Sequence, residues 1–403
     1  MSPSRRASAN LALATLAFAL CFTAWSLIAP FAKTFKHDLG LNYTEALFLT
    51  AIPVVLGSLL RVPFGILTDR YGGRLVFTVL LAFSALPAVL FGYAHSYWSL
   101  LAVGFLLGVA GASFAVGVPF VAGWFSRERQ GFALGVYGIG NIGTAVAFFG
   151  APPVSNRWGQ ATVGWVTGIA LLVGAVLFYV LARNAPAAGA PADYGAVLRA
   201  GWRRYRLAFF YFITFGGFVA MGFLLPTLLQ DWFGYSKSVA GARAAGFIIA
   251  ATVARPVGGW IADRVGPVPV LVLAFAGIAI DAAVLATLAP EPRIVAVSIA
   301  SLTLGCCLGA GSGAVFKIVP GEFPGNPGAA AGVVGAAGGL GGFFPPIYVG
   351  LVKDAQGTYT YGFVGLLVFV IASLLIAVWL LRTAPPDQLR GAQLAPSPSQ
   401  QGP

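Results

Sequence analysis

The sequence predicts an all-α membrane protein of twelve transmembrane helices in two pseudo-symmetric six-helix halves, and three observations carry that prediction. First, its 403 residues are 58% hydrophobic and 9% charged, with a mean hydropathy of +0.86, far outside the range of soluble domains. Second, apolar runs that meet the ~20-residue requirement for crossing a bilayer fall at 9–32, 44–68, 73–93, 97–125, 130–154, 160–182, 206–230, 239–262, 268–289, 293–319, 327–351 and 360–382; they are numbered here span 1 to span 12. Third, the stretch LRVPFGILTDRYGGR at 60–74 returns 194 residues later as ARPVGGWIADRVGP at 254–267. That offset places Arg61 on Arg255, Gly65 on Gly259, Asp69 on Asp263, Arg70 on Arg264 and Gly72 on Gly266.

Span 1 begins near Asn10 and continues past Pro30, too long for a signal-peptide core and without a small-residue cleavage site, so it is expected to remain as a membrane helix. Spans 2 and 8 carry the repeated motif. Spans 4 and 10 correspond at an offset of 198, GVAGASFAVG on CCLGAGSGAV, and so do spans 5 and 11, where Gly138, Asn141 and Gly143 face Ala336, Gly339 and Gly341. Glycines three or four apart line one helix face and let another helix approach closely. That suits helices that slide past one another and equally suits static packing. Between spans 6 and 7, Asn184 to Tyr205 is rich in Ala, Pro and Gly and ends in the basic cluster GWRRYR. The chain therefore divides into a first half at 1–183, a cytoplasmic linker at 184–205, a second half at 206–384 and a tail at 385–403, whose Pro, Gln and Ser content predicts disorder.

The net charge of +12 raises the question of nucleic acid, and its distribution answers it. With the termini inside, fourteen of the 24 basic residues fall on inside segments and seven on outside segments. The remaining three, Arg61, Arg255 and Lys317, lie within the membrane. The bias orients the protein with both termini cytoplasmic and leaves no basic stripe for nucleic acid. Cys21, Cys306 and Cys307 sit in apolar runs and form neither a disulfide framework nor a metal site. No nucleophile–base pair, metal-ligand spacing or phosphate-cradling loop is present, so neither an enzyme nor a cofactor is expected.

Arg61 and Arg255 each stand eight residues before an Asp-Arg pair that ends the helix, which puts them about 12 Å deep and near the midplane of a hydrocarbon core ~30 Å thick. A guanidinium there costs several kcal/mol and cannot be neutralised, so it must face the protein interior and meet an anion or backbone carbonyls. For a single arginine the structural role is a live alternative. Two at matched depth, with almost no carboxylate in the membrane, favour an anion site. Asp281 in span 9 is the carboxylate well inside a span; it is read as a protonated partner of a neighbouring helix, with a proton carrier as the alternative. Lys317 in span 10 either draws anions toward the inner exit or, equally, snorkels or pairs with Glu322.

GILTDRYGGR, with Gly65, Asp69, Arg70, Gly72 and Arg74, fits GxxxDRxGxR, the loop motif of the major facilitator superfamily, and GWIADRVG, with Gly259, Asp263 and Arg264, is its weaker copy. The runs GVAGASFAVGVP, QGFALGVYGIGNIGTA, FYFITFGGFV, ATVARPVGGWIADRVG, GAVFKIVP and GVVGAAGGLGGFFPP resemble the nitrate/nitrite porter family, most closely its shorter bacterial assimilatory members. The resemblance implies that Arg61 and Arg255 are the paired nitrate-binding arginines, with Asn141, Gly339 and the other glycines of spans 5 and 11 around them. It also implies that Phe215 and Gly216 of TFGGF belong to a segment supplying an aromatic wall. Phe215 or Phe218 taken alone reads equally as a packing residue. The implied protein is a monomeric bacterial inner-membrane transporter of nitrate and nitrite, in contact with lipid and working by alternating access. Its rivals are a transporter of formate or oxalate and a non-transporting anion sensor; the latter is disfavoured because no soluble domain is appended.

Overall fold

A computed structural model describes residues 3–185, 194–199, 201–323 and 327–383. Among these, twelve helices are long and apolar enough to cross a membrane: Arg5–Asp38, Tyr43–Tyr71, Gly73–Phe91, Tyr97–Ala122, Phe132–Trp158, Gln160–Leu181, Tyr205–Phe233, Lys237–Val265, Pro267–Leu288, Ile294–Val319, Ala329–Gln356 and Thr360–Trp379. They are spans 1 to 12 in order. Several run a turn or more past the apolar boundaries read from sequence, because helical hydrogen bonding continues after hydropathy falls. The linker holds a short helix, Tyr194–Arg199, and the predicted tail lies outside the described residues.

Burial sorts the spans into inner and outer rings. Spans 4 and 7 bury 78% of their most apolar stretch and span 12 only 28%, so the former line the centre and the latter faces lipid. Span 12 exposes Val368, Phe369, Leu375 and Trp379, and span 6 exposes Ile169, Val173 and Val176, as lipid-facing helices do.

Within each half, glycine sets how closely the inner helices approach. In span 10, Gly305, Gly309 and Gly313 recur every four residues; a Cβ at Gly305 would press on Phe247, while at Gly309 and Gly313 it would overlap the carbonyls of Ala251 and Arg255 in span 8. The first half repeats the device. A Cβ at Gly108 would approach Leu56 Cβ to 2.9 Å, one at Gly111 would meet Gly57 Cα at 3.1 Å, and Trp25 donates to the Pro53 carbonyl at 3.1 Å. Span 8 is thus positioned backbone to backbone, and with it Arg255.

Four inner spans are interrupted near mid-membrane. Span 2 breaks at Leu60 between Tyr43–Leu59 and Arg61–Tyr71, and span 4 tightens into a 3-10 turn at Gly108–Ala112. Span 5 does the same at Ile139–Asn141, and span 11 turns at residues 341–343 between Pro327–Leu340 and Phe344–Gln356. Discontinuous helices bring backbone groups into the membrane interior only where protein can satisfy them, and here they surround one site.

The halves are joined across the face remote from the termini. Lys33 of span 1 pairs with Asp231 of span 7 at 2.7 Å. Asp354 at the end of span 11 caps span 2, accepting from the Tyr43 and Thr44 amides at 2.9 and 2.8 Å and from the Thr44 hydroxyl at 2.6 Å. Asn156 donates to Ser238 at 3.0 Å. A carboxylate at a helix N-terminus is stabilised by the unpaired amides and the helix dipole, so this cap is a specific docking contact.

The close approach of spans 1 and 5 depends on Gly143, where a Cβ would overlap the Ala19 carbonyl. Gly143→Val should lower the midpoint of thermal unfolding of the purified protein by several degrees, a cost of about 1–3 kcal/mol; an unchanged midpoint would show that the helices separate freely.

Candidate anion site between the halves

Arg61 starts the second segment of span 2 and is 1% exposed; Arg255, in the middle of span 8, is 8% exposed. Both point to the interface between the halves. Arg61 Nη1 donates to the Gly335 carbonyl of span 11, and Arg255 Nη2 donates to the Tyr211 hydroxyl of span 7 at 3.0 Å. Aromatic faces make up the remaining surroundings. The Arg61 guanidinium carbon lies 5.5 Å from the Phe114 centroid and 5.1 Å from that of Phe215. That of Arg255 lies 5.5 Å from Phe114, 6.0 Å from Phe215 and 5.4 Å from Phe316. Since each is 5.5 Å from the same Phe114 centroid, the two guanidinium carbons are at most 11 Å apart.

Neither guanidinium forms an ion pair among the described residues. Ring faces attract cations by about 0.5–2 kcal/mol each, and Tyr211 stacks on Phe215 with centroids 5.0 Å apart, making a firm wall. These terms soften the burial of two charges without neutralising it. Arg61 Nε has no hydrogen-bond partner, and at 11 Å with an effective dielectric near 20 the mutual repulsion is on the order of 1–2 kcal/mol. Two converging guanidiniums with open donor positions and an aromatic wall can grip a small planar anion by its edge while the rings cover its face.

The other residues singled out from sequence fall at various distances from this centre. Asn141 is 2% exposed and donates to the Gly138 carbonyl at 2.7 Å, leaving Oδ1 unpartnered; Gly138 in turn packs on the Arg255 side chain. Gly339 lies beside Arg61, where a Cβ would come within 3.5 Å of the guanidinium carbon. Phe215 is in the wall, and Phe218 packs between Phe215 and Phe247. Gly216 serves the close packing of spans 7 and 11 against Gly341.

Lys317 corrects an expectation. It pairs with Asp263 of the neighbouring span 8, not with Glu322, which pairs with Arg206. Glu322 follows Lys317 by five residues, about 140° round the helix, whereas the glycine contacts bring span 8 alongside. Asp281 accepts from Thr303 of span 10 at 2.8 Å, a contact with a neighbouring helix. In the loop motif, Gly72 takes φ +81° and leaves no room for a Cβ beside Asn184. The Arg74 amide donates to Asn184 Oδ1 at 2.9 Å and its Nε to the Tyr179 carbonyl at 2.7 Å, so the motif ties span 3 to the end of span 6. In the copy, Gly266 takes φ +91°, Arg264 lies 3.7 Å over Trp260, and Gly259 faces open space apart from the Gly313 carbonyl at 4.0 Å. Gly65 is buried, Arg70 lies 5.4 Å over Tyr71, and Asp69 precedes it on the same terminal turn.

The sequence reading missed Tyr211, Phe114, Phe316 and the Gly335 carbonyl. Tyr211 precedes Phe215 by four residues and so shares its helix face, a signal that was there to be used.

A polytopic helical chain of two repeated halves with a charged site buried between them is a membrane transporter and not an enzyme. The family model described as Major Facilitator Superfamily matches residues 14–346, and 207–400 in a second match. The chain is 39% identical over 378 residues to the nitrite extrusion protein of Bacillus subtilis, covering 92% of this chain and 94% of that one. It is 40% identical over 385 residues to the probable nitrate/nitrite transporter NarK2 of Mycobacterium tuberculosis, covering 93% and 95%. Among solved structures, a bacterial homologue of the human lysosomal transporter Spinster, inward-facing and occupied, superposes with a TM-score of 0.74 at 16% identity over 95% of this chain and 98% of that one. The human organic anion transporter MFSD10 does so with 0.72 at 15% identity over 94% and 100%; both likenesses speak for the fold alone. The chain belongs to the major facilitator superfamily and, within it, to the nitrate/nitrite porters.

Arg61→Lys or Arg255→Lys keeps the charge and loses the planar fork. Each should weaken anion binding by at least about 100-fold, on the order of 3 kcal/mol, with membrane yield unchanged, measured by calorimetry on purified protein. Tyr211→Phe should weaken binding less, by about tenfold.

Proposed function

We propose that the protein carries nitrate, and nitrite, across the bacterial inner membrane by alternating access, with one anion held between Arg61 and Arg255. The observation that carries this is the pair of buried guanidiniums facing the same Phe114 and Phe215 rings with no carboxylate paired to either. Nitrate and nitrite are planar and singly charged at neutral pH. Such an anion matches both the edge-on donors and the flat wall, and the relatives are named for the same pair of ions. The chain acts as a monomer surrounded by lipid, with Asn141 and Gly339 at the border of the site. Lys317, neutralised by Asp263, is an accessory group on the way to the interior.

With the termini cytoplasmic, as the distribution of arginine and lysine favours, the Lys33–Asp231 and Asp354–Thr44 contacts lie on the outer face. They must break for the site to open outward. Asp354→Ala should therefore accelerate, several-fold, the labelling of a cysteine introduced at Phe48 by an impermeant thiol reagent. Phe48 lies in the seam between the halves, 5.9 Å from Phe343. Unchanged labelling would show that the cap does not hold the outer face.

Moving one anion into an inside-negative cell costs about 2.3 kcal/mol per 100 mV. Exchange of internal nitrite for external nitrate is electrically silent, and two permanently charged arginines serve either ion in turn. Proton symport would need a carrier, and Asp281 is bonded to Thr303 of the neighbouring span 10. In proteoliposomes loaded with nitrite, nitrate uptake should run without a pH gradient and be unaffected by Asp281→Asn. Uptake that requires an inward proton gradient and ignores internal nitrite would establish symport. Competition by formate or oxalate stronger than by nitrite would shift the substrate, and binding without flux would identify a sensor.

A further inference from the structure

One turn before each arginine stands a hydroxyl residue: Ser58 precedes Arg61 by three positions, and Thr252 precedes Arg255 by three. The offset between them is 194, the same that relates the arginines, so the repeat generates hydroxyl and guanidinium together. Both hydroxyl residues are buried, Ser58 to 1% and Thr252 to 3% exposure, and neither hydroxyl has a hydrogen-bond partner.

That state is unusual for a hydroxyl in a helix, which commonly bonds back to the carbonyl four residues earlier. Thr68, Ser84 and Thr214 do so here at 2.7, 2.7 and 3.0 Å. A buried hydroxyl left unpartnered loses about 1–3 kcal/mol. Ser113, Thr227 and Ser301 are also unpartnered, but they do not stand at matched positions in the repeat. Residues three apart on a continuous helix share a face, so Thr252 lies on the face of Arg255 in span 8, while Ser58 and Arg61 flank the break at Leu60. For Ser58 the convergence is visible. A Cβ at Gly339 would clash with its Oγ and come within 3.5 Å of the Arg61 guanidinium carbon, so hydroxyl and guanidinium flank one point of span 11. Arg61 Nε, likewise without a partner, makes this a cluster of donors lacking an acceptor.

We propose that Ser58 and Thr252 are a second symmetric pair of anion ligands, one from each half, each donating its hydroxyl hydrogen to an oxygen of the small oxyanion held by Arg61 and Arg255. The chemistry selects a ligand with at least three acceptor oxygens or lone-pair directions spread in a plane. Two guanidinium forks take its edges and the hydroxyls take what remains. The inference rests on the arginine pair being the anion site.

The test uses the full-length protein and nitrate, read by calorimetric Kd and by thermal unfolding without ligand. Ser58→Ala and Thr252→Val each remove a hydroxyl while keeping helix and shape, and each should raise the nitrate Kd roughly tenfold with an unfolding midpoint equal to or above the parent's. Thr252→Ser, which keeps the hydroxyl, should keep the parent's Kd to within about twofold. If Ser58→Ala and Thr252→Val leave the Kd unchanged and raise the midpoint, the hydroxyls are unused and the proposal is wrong. If the Kd rises only because the midpoint collapses, or rises equally in Thr252→Ser, the role is packing and the proposal is also wrong. Arg61→Lys measured alongside separates the two levels. Retained nitrate binding there would remove the arginine site itself, whereas its loss together with unaffected Ser58→Ala and Thr252→Val would remove the hydroxyl pair alone.

Discussion

Two guanidiniums buried at the seam of the halves, without a counter-charge among the described residues, set the terms for everything around them. An arginine cannot shed its proton as a buried lysine can, so the only ways to lower its energy are donors satisfied by neutral acceptors, aromatic faces, and an anion. The chain uses the first two sparingly. One Nη on each guanidinium is bonded, Arg61 to the Gly335 carbonyl and Arg255 to the Tyr211 hydroxyl, and four aromatic residues close around them. In the proposed site, the residual deficit would give an incoming anion its affinity. A carboxylate placed at this point would remove the deficit and the site together.

Holding such charges at fixed separation requires stiff supports, and glycine supplies them. The stripe Gly305, Gly309 and Gly313 presses span 10 against the backbone of span 8, ending on the carbonyl of Arg255 itself. Gly57, Gly108 and Gly111 do the corresponding work for spans 2 and 4. Between the halves, polar contacts join backbone packing of the same sort: a Cβ at Gly241 would overlap the Phe148 carbonyl and one at Gly350 would crowd the Thr44 backbone. The Asp354 cap and the Asn156–Ser238 bond are exposed, where water can replace each partner at small cost, whereas the Asp231 carboxylate paired with Lys33 is mostly covered and also accepts from the Tyr359 hydroxyl.

The legible parts of this arrangement were those carried by rare residues. In a chain with 9% charged residues, an arginine at helix mid-depth is conspicuous, and its repetition after 194 residues gave the depth, the pairing and the halves. The aromatic wall was legible only in part, because 32 phenylalanines offer no contrast in an apolar background. Phe114 and Phe316 acquire a role only once spans 4 and 10 are placed side by side. The Gly335 carbonyl carries no side-chain signal at all. For Lys317 the alternatives read along the chain did not include Asp263, which meets it across the interface that the glycine stripe creates, while Glu322, five residues away, pairs with Arg206. Ser58 and Thr252 were present in the repeat from the start, but a serine or threonine in a membrane helix is uninformative until its missing back-bond is seen.

The two arginines, equivalent by repeat, are not equivalent by bonding, and that difference bears on how an anion is felt by the whole molecule. Arg255 and its partner Tyr211 belong to the same half, so their bond persists however the halves move. Arg61 belongs to the first half and its acceptor, Gly335, to the second, so their bond is one of the ties across the seam. An anion that takes the same Nη of Arg61 competes with that carbonyl and weakens the tie, while an anion gripped by both arginines replaces it with a new link between the halves. Since a ligand shifts an equilibrium only through its differential affinity for the two states, in the proposed site this single exchange of acceptors, carbonyl for anion, would couple binding to the relative position of the halves. The repeat of the sequence places the two arginines symmetrically, and one backbone carbonyl from the other half makes their bonding unequal.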